Sequence, residues 1–553
     1  MSARPEAWIA RRDAADVERD LVAAAGPLAG LRLAVKNNVD VAGFPTTAGC
    51  PSYATGPAAS DAVAVARLRA AGATVVGVTN LDQFATGLVG QRSPYGGVRD
   101  ARRPAYVSGG SSSGSAVAVA LGEADLAIGT DTAGSGRVPA AFQGIVGIKP
   151  TLGVVSTEGV VPACRSWDAV TIFARDLDTA SVAMGVMAGG PGTRAWPVDV
   201  PLAAPAAARV AVPDELPGMA PGWAEAFEAA AERLRADGCV VEAVPFTSFL
   251  TAATLLYGGA LVAERHAAVG AFVDAHAGDP ALDPTVAGII HRAGTPTASA
   301  LVRDLERLEE LRATSMALLD GFDALLVPTA PGQPTAAEVA ADPVGVNSWV
   351  GTFTNFCNLF DLCAVAVPSG TADGAQFGVT VVARTFHDAV ALDLARRVGL
   401  AAEPVAGAGA ASPLPEPASP WPVAAGVATE RLLVVGAHLR GQPLAGELES
   451  RGARWVGPAS TAPRYALTEL DTVPAKPGLE RVGTPGASVA GELWEVSTGA
   501  LGSFLANLPA PMNLGRVELD DGEWVVGFGC HAEAARGGRD ITDHGGWLAW
   551  LGR

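Results

Sequence analysis

Apolar residues follow two alternating patterns over the first 400 positions. One has helical spacing; the other is a short run of Val, Leu, Ile and Ala of the kind a buried strand needs. Residues 15–36 read as a helix followed by the strand Leu31-Arg-Leu-Ala-Val35, which ends at Lys36. Asp61 to Ala71 has helical periodicity and Thr74 to Val78 reads as a strand. Gly/Ser-rich loops at 108–115 and 129–137 flank an apolar helix, Ser115 to Leu121. Segments 222–236 and 300–320 read as amphipathic helices, and FDALLVP (322–328) as a buried strand stopped by proline. Helices alternating with buried strands predict an α/β domain, a mixed or parallel sheet covered by helices.

The pattern changes at Pro404. An Ala- and Pro-rich stretch without periodicity predicts a linker over 404–429, dividing a domain over 1–403 from one over 430–553. Beyond it, RLLVVGAHL, ARWVGP, RYALTEL, GELWEVS, GRVELDDG and EWVVGFG are short β-type runs separated by turn signals, so the second domain is expected to be compact and strand-rich.

Composition narrows the function class. The 553 residues are 49% hydrophobic and 17% charged, enough for a large core, and the net charge of −18 argues against a broad nucleic-acid surface. The N-terminus lacks the apolar stretch of a secretory signal, and no run is long enough to span a membrane. The six cysteines and seven histidines have no metal-ligand spacing. Free thiols in a cytoplasmic enzyme without metal or organic cofactor are the expectation.

Lysine is rare: Lys36, Lys149 and Lys476 are the only three, and arginine supplies the other basic positions. Arginine stays protonated in a protein, whereas a desolvated lysine can lose its proton and act as a base. A lysine closing a buried strand therefore suggests either such a base or a surface amine. Two loops bear on that choice: Gly109-Gly-Ser111-Ser-Ser-Gly-Ser115, and Gly129-Thr-Asp-Thr-Ala-Gly-Ser135-Gly-Arg137. Neither fits a nucleotide-phosphate loop. Ser111 follows Lys36 by 75 residues and Ser135 follows Ser111 by 24.

The lysine and the two loops, in this order, resemble the amidase signature family over roughly residues 10–400. The resemblance implies a Ser–Ser–Lys triad, with Ser135 the nucleophile, Ser111 the bridging serine and Lys36 the base. A serine hydroxyl needs a neighbour to take its proton, and no histidine lies in either loop. The backbone N–H groups of Thr132, Ala133 and Gly134, with that of Ser135, are candidates for an oxyanion hole. Asp131 and Arg137 are expected to pair and brace the loop. Ser112 and Ser113 are weaker candidates as reacting hydroxyls.

Longer segments resemble the allophanate-hydrolysing branch of that family: VKNNVDVAGFPTTAGCP (35–51), NLDQFATGLVGQRSPYGG (80–97), GVVPACRSWDAVTIFA (159–174) and NFCNLFDLCAVAVP (355–368). VVGAHLRGQPL, TAPRYAL, KPGL, PAPMNLGRVELDDG and DITDHGGWLAWL resemble that branch's extra C-terminal α+β domain, which is similar to the γ-glutamylcyclotransferase fold. The resemblance implies that the substrate is allophanate, a small amide bearing a carboxylate, and that Tyr257 and Arg265 hold that carboxylate while Gly87 makes a backbone contact. It also implies an acyl-Ser135 intermediate, release of N-carboxycarbamate, and help from the second domain in its decarboxylation. His438 is the candidate there, with His531 and His544 weaker. A homodimer working downstream of a urea carboxylase, in urea or cyanuric acid breakdown, belongs to the same expectation. Gln91 stands where the family usually has threonine, and Gln143-Gly144 replace its usual asparagine pair, which leaves substrate preference open. The rival readings are a general amidase, the amidase component of a tRNA-dependent amidotransferase, and a non-catalytic scaffold of the same fold.

Overall fold

The computed structural model describes residues 4–401, 404–405 and 419–552, which form two compact units. The first comprises residues up to 195 and 207–425; the second comprises 196–206 and 426 onward.

The first unit is built on one mixed sheet. Its strands are β1 (Trp8–Arg11), β2 (Arg32–Lys36), β3 (Thr74–Thr79), β4 (Leu126–Asp131), β5 (Val146–Lys149), β6 (Ala169–Ala174), β7 (Arg209–Pro213), β8 (Val240–Val244), β9 (Ala324–Pro328), β10 (Cys363–Ala372) and β11 (Ala375–Ala383). They lie in the order β1-β3-β2-β4-β6-β5-β10-β11-β9-β7-β8. β2 runs parallel to both β3 and β4, and β7 parallel to β8 and β9; the remaining pairs are antiparallel. Every residue of β3, β4, β5 and β6 is buried. That explains their continuous apolar runs: with both faces covered there is no polar side to alternate with. The Ser113–Ala120 helix is buried on all sides and carries only small and branched residues, so it fits against the sheet. Phe246, Phe249, Phe353 and Phe356 pack into an aromatic core elsewhere in the unit, with Phe246 and Phe249 stacked at 4.8 Å.

The second unit holds β12 (Thr429–Val434), β13 (Arg454–Ser460), β14 (Tyr465–Leu470), β15 (Lys476–Arg481), β16 (Ala490–Ser497), β17 (Met512–Glu518), β18 (Trp524–Cys530) and β19 (Arg539–Asp540). A five-stranded sheet, β13-β16-β12-β18-β17, and a three-stranded one, β15-β14-β19, share a core that includes Leu432, Trp494, Phe504 and Trp547.

Two segments depart from the sequence reading. Residues 196–206, which have no periodicity, belong to the second unit: Leu202 N–H donates to the Gly452 carbonyl at 2.7 Å. Residues 406–418 of the expected linker lie outside the described residues. Its described end forms a short helix, Trp421–Ala424, built into the first unit against the Leu177–Met187 helix, with Trp421 buried. No described helix is long and apolar enough to cross a membrane, and all six cysteines are buried free thiols.

Candidate active site

Lys36 is the last residue of β2, at the end of the sheet where β4 also finishes. It is 0% exposed, and its Nζ lies 2.8 Å from Ser111 Oγ and 2.7 Å from Thr130 Oγ1. Burial drives its pKa down from 10.5 to about 7. The carboxylates of Asp82, Asp131 and Asp168 oppose that fall, and the Arg265 guanidinium adds to it. Near neutral pH the amine is therefore available as a base, which an arginine in its place could not be.

The Ser111 loop is fastened to the sheet from several sides. Ser112 Oγ donates to the Thr130 carbonyl (3.1 Å), Asp82 N–H donates to the Ser111 carbonyl (3.1 Å), and the Gly110–Ser111 peptide is cis. Gly110 has no room for a side chain, because a Cβ would stand 2.1 Å from Asp82 Oδ2. Ser112, Ser113 and Ser115 all bond main-chain carbonyls, which makes them structural. Ser111 alone among the loop's serines faces the lysine.

The Ser135 loop is held by the expected ion pair. Arg137 Nε and Nη2 each lie 3.0 Å from an Asp131 carboxylate oxygen, both residues fully buried. Burial pushes the Asp131 pKa up, but the charge and hydrogen bonds of Arg137, the Lys149 ammonium and the Gly136 N–H together outweigh it and hold the carboxyl below its ordinary range. Arg137 also donates to Thr354 O and Asn358 Oδ1, while Asn358 Nδ2 reaches back to Asp131 O at 2.7 Å. Ser135 is 3% exposed, and its hydroxyl makes no hydrogen bond among the described residues.

One expected oxyanion donor is already engaged. Gly134 N–H donates to Asp131 Oδ1 at 2.8 Å, as Gly136 N–H does to Oδ2 at 2.9 Å. The N–H groups of Thr132, Ala133 and Ser135 have no acceptor among the described residues. Gly134 N–H is therefore not free for an oxyanion, and the unengaged donors are those of Thr132, Ala133 and Ser135. Gly134 serves instead as a steric requirement: at φ +130° a Cβ would stand 2.5 Å from Thr354 Oγ1.

Tyr257 and Arg265 do not share one helix, since Thr247–Gly258 ends and Ala263–Ala275 begins after a 3₁₀ turn. They nonetheless meet: Arg265 Nη2 donates to Tyr257 Oη at 2.9 Å, and Nη1 to Thr86 Oγ1 at 3.0 Å. Arg265 is 1% exposed, its Nε has no partner, and it forms no ion pair among the described residues. Burial disfavours its charge, the Asp168 carboxylate supports it from beyond ion-pair distance, and its Nε keeps donor capacity for a bound anion. Tyr257 lines a cavity of about 280 Å³ that Arg92 and Arg292 also border. Gly87 packs over Asp82, where a Cβ would meet Oδ2 at 2.6 Å.

In the second unit, His438 follows β12. It is 5% exposed, 3.1 Å from Glu447 through Nε2, and stacked on Phe528 at 4.8 Å. Burial lowers its pKa against the opposing pull of Glu447. His531 and His544 are exposed. Gln91 and Gln143 do framework work: Gln91 Nε2 donates to Val98 O (2.8 Å), and Gln143 Nε2 to Asp100 Oδ2 and Ser108 O (3.0 Å each).

Four supporting residues escaped sequence reasoning: Thr130 beneath the lysine amine; Asp82; Asp168, which accepts from Thr132 Oγ1; and Asn358. All four lie inside the motif segments of the sequence; the contacts of Thr130, Asp168 and Asn358 span 94, 36 and 227 residues and leave no local spacing signal, while Asp82 accepts from the nearby Gly90 and Arg92 N–H groups through a loop that has no regular period.

The chain belongs to the amidase family, whose model, described as Amidase, matches residues 3–392. A second model, the Allophanate hydrolase C-terminal domain, matches residues 430–552. The solved structure of Kluyveromyces lactis allophanate hydrolase superposes with a TM-score of 0.89 at 38% identity, over 100% of this chain and 94% of that one. The urea amidolyase of Lachancea kluyveri is 41% identical over 95% of this chain, which spans only 30% of that relative's length. A glutamyl-tRNA(Gln) amidotransferase component from Symbiobacterium thermophilum is 34% identical over 70% of this chain and 84% of its own.

Proposed function

We propose that the chain hydrolyses allophanate through an acyl-Ser135 intermediate. The observation that carries this reading is the buried Arg265 guanidinium, bonded to Tyr257 and with no carboxylate at ion-pair distance among the described residues. A small amide that brings its own carboxylate completes the site, and an amide without one leaves the guanidinium's free donor unmet.

In this reading Lys36 is neutral and takes a proton from Ser111 as Ser111 takes one from Ser135. Ser135 Oγ attacks the terminal amide carbon, and the oxygen that becomes negative is held by the N–H groups of Thr132, Ala133 and Ser135. The proton stored on Lys36 returns through Ser111 to the departing nitrogen, which leaves as ammonia. Water, activated by the same pair, then splits the acyl-serine and frees N-carboxycarbamate. Loss of both carboxyl groups as carbon dioxide yields the second ammonia, a stage we assign to the second unit and His438. A homodimer, supplied with substrate by carboxylation of urea, completes the proposal.

The test is ammonia release from freshly prepared allophanate, malonamate and glutamine by the wild type and Ser135→Ala. Rapid release from allophanate, lost in the variant, supports the assignment. Preference for glutamine would move the chain to the amidotransferase reading, and equal rates on all three would make it a general amidase.

A further inference from the structure

We propose that Asn358 is a positioning residue for the reaction at Ser135: its amide fixes and polarises the Asp131–Thr132 peptide, so that the Thr132 N–H meets the oxyanion as a strong donor already in place. This rests on the reading that Ser135 is the acylated nucleophile.

The unengaged donors of the loop belong to different peptide units. The Ser135 N–H shares its peptide with the Gly134 carbonyl, which accepts from the N–H groups of Arg137 (2.9 Å) and Val138 (2.8 Å). The Thr132 N–H shares its peptide with the Asp131 carbonyl, which accepts from a side chain, Asn358 Nδ2, at 2.7 Å. A hydrogen bond to the carbonyl of a peptide polarises the unit and strengthens its N–H as a donor. The Ser135 donor is thus supported by local backbone, and the Thr132 donor by a residue 227 positions further along the chain.

The surroundings leave Asn358 one orientation. It lies in the short helix Phe356–Leu359 and is fully buried. Its Oδ1 accepts from Arg137 Nη2 at 3.0 Å, and its Nδ2 donates to the Trp167 carbonyl at 2.9 Å as well as to that of Asp131. A guanidinium only donates and a carbonyl only accepts, so the amide cannot turn over. Both of its N–H bonds go to carbonyls and none remains for substrate, so Asn358 acts through the Thr132 peptide rather than on the reacting atoms. The neighbour of Trp167 secures the other side of Thr132. Asp168 takes the Thr132 hydroxyl and is itself held by the N–H groups of Ala163 (2.8 Å) and Cys164 (3.1 Å). Thr132 is therefore tied at the carbonyl before it and at its side chain, while its N–H has no acceptor among the described residues. An oxyanion donor works best in that state, oriented before the charge develops.

The test compares a planar ligand with a tetrahedral one on the full chain. Malonate engages the carboxylate contacts and forms no oxyanion, whereas 2-carboxyethylboronic acid becomes tetrahedral on a serine oxygen and sets one oxygen where the oxyanion forms. Asn358→Asp keeps an acceptor for Arg137 and removes both donors; Asn358→Leu removes all three bonds, and Asn358→Asp decides alone if that variant does not fold. Both should lower kcat on allophanate by about 10- to 100-fold, up to the loss of a whole oxyanion donor, and weaken the boronate by at least about tenfold. Malonate affinity should stay within about threefold, because a contact made only in the transition state does not hold the ground state. Unchanged kcat or boronate affinity in Asn358→Asp, or malonate weakened as much as the boronate, overturns the assignment, and the latter would leave Asn358 a brace of the fold only. The reading beneath it is tested separately by Ser135→Ala: a ¹¹B signal of the tetrahedral adduct that persists there removes Ser135 as the nucleophile, whatever Asn358 does.

Discussion

The sharpest consequence of the site is its dependence on pH. The fall of the Lys36 pKa from 10.5 to about 7 disfavours the ammonium by about 5 kcal/mol. Its cause is complete burial, only partly offset by Asp82, Asp131 and Asp168. If Lys36 is the base, kcat/KM follows the neutral fraction of the free enzyme. The profile on allophanate, corrected for spontaneous decay, should rise about tenfold per pH unit below 7 and flatten by about pH 8, with roughly a tenth of the plateau left at pH 6. Asp82→Asn removes the foremost charge holding the pKa up and should move the acid limb to lower pH. The same shift bears on stability. Between pH 7 and 10.5 the folded chain holds Lys36 neutral while the unfolded chain protonates it, so unfolding takes up a proton and stability rises with pH across that window. The full cost is present below pH 7 and gone above 10.5, so Lys36→Met should stabilise the fold more at pH 7 than at pH 10, read by urea midpoints. A rate that keeps climbing tenfold per unit beyond pH 9, or an acid limb unmoved by Asp82→Asn, would refute a depressed lysine as the base.

Three further outcomes are expected. Arg265→Gln should raise KM for allophanate by roughly 10- to 100-fold, the worth of a charge-assisted hydrogen bond, while changing rates on uncharged amides little; steady-state kinetics on both classes checks this. Arg137→Met leaves the fully buried Asp131 carboxylate unpaired and should cost about 3–5 kcal/mol in denaturant unfolding, with Asp131→Asn in the same chain recovering part of it. Gly134→Ala puts a methyl 2.5 Å from Thr354 Oγ1 on a backbone at φ +130°, and should depress kcat far more than KM, because the neighbouring N–H donors turn with it; unchanged kcat would remove the steric role given to Gly134.

How far the sequence could be read depended on the range of each interaction. Buried strands and amphipathic helices are local patterns, and their spans agree with the structure closely: 222–236 was expected and Trp223–Ala236 is observed; 300–320 was expected and Ala298–Leu318 is observed. The Asp131–Arg137 brace is six residues apart and equally legible. Lys36 was only half legible: its rarity left a base and a surface amine both open, and it took the two serine loops to favour the buried amine that the structure shows. Residues 196–206 and Trp421–Ala424 were misplaced because their positions are decided by contacts with distant chain, which composition does not encode. The oxyanion donors show the same limit at atomic scale. Spacing brings Thr132, Ala133 and Gly134 before the nucleophile, yet it cannot say that the carboxylate bracing the loop also takes the Gly134 N–H. A loop tight enough to hold Ser135 uses part of its own backbone to stay tight, so the donors left for substrate are those its internal bonds do not consume. Backbone donors of that kind have to be counted in the structure.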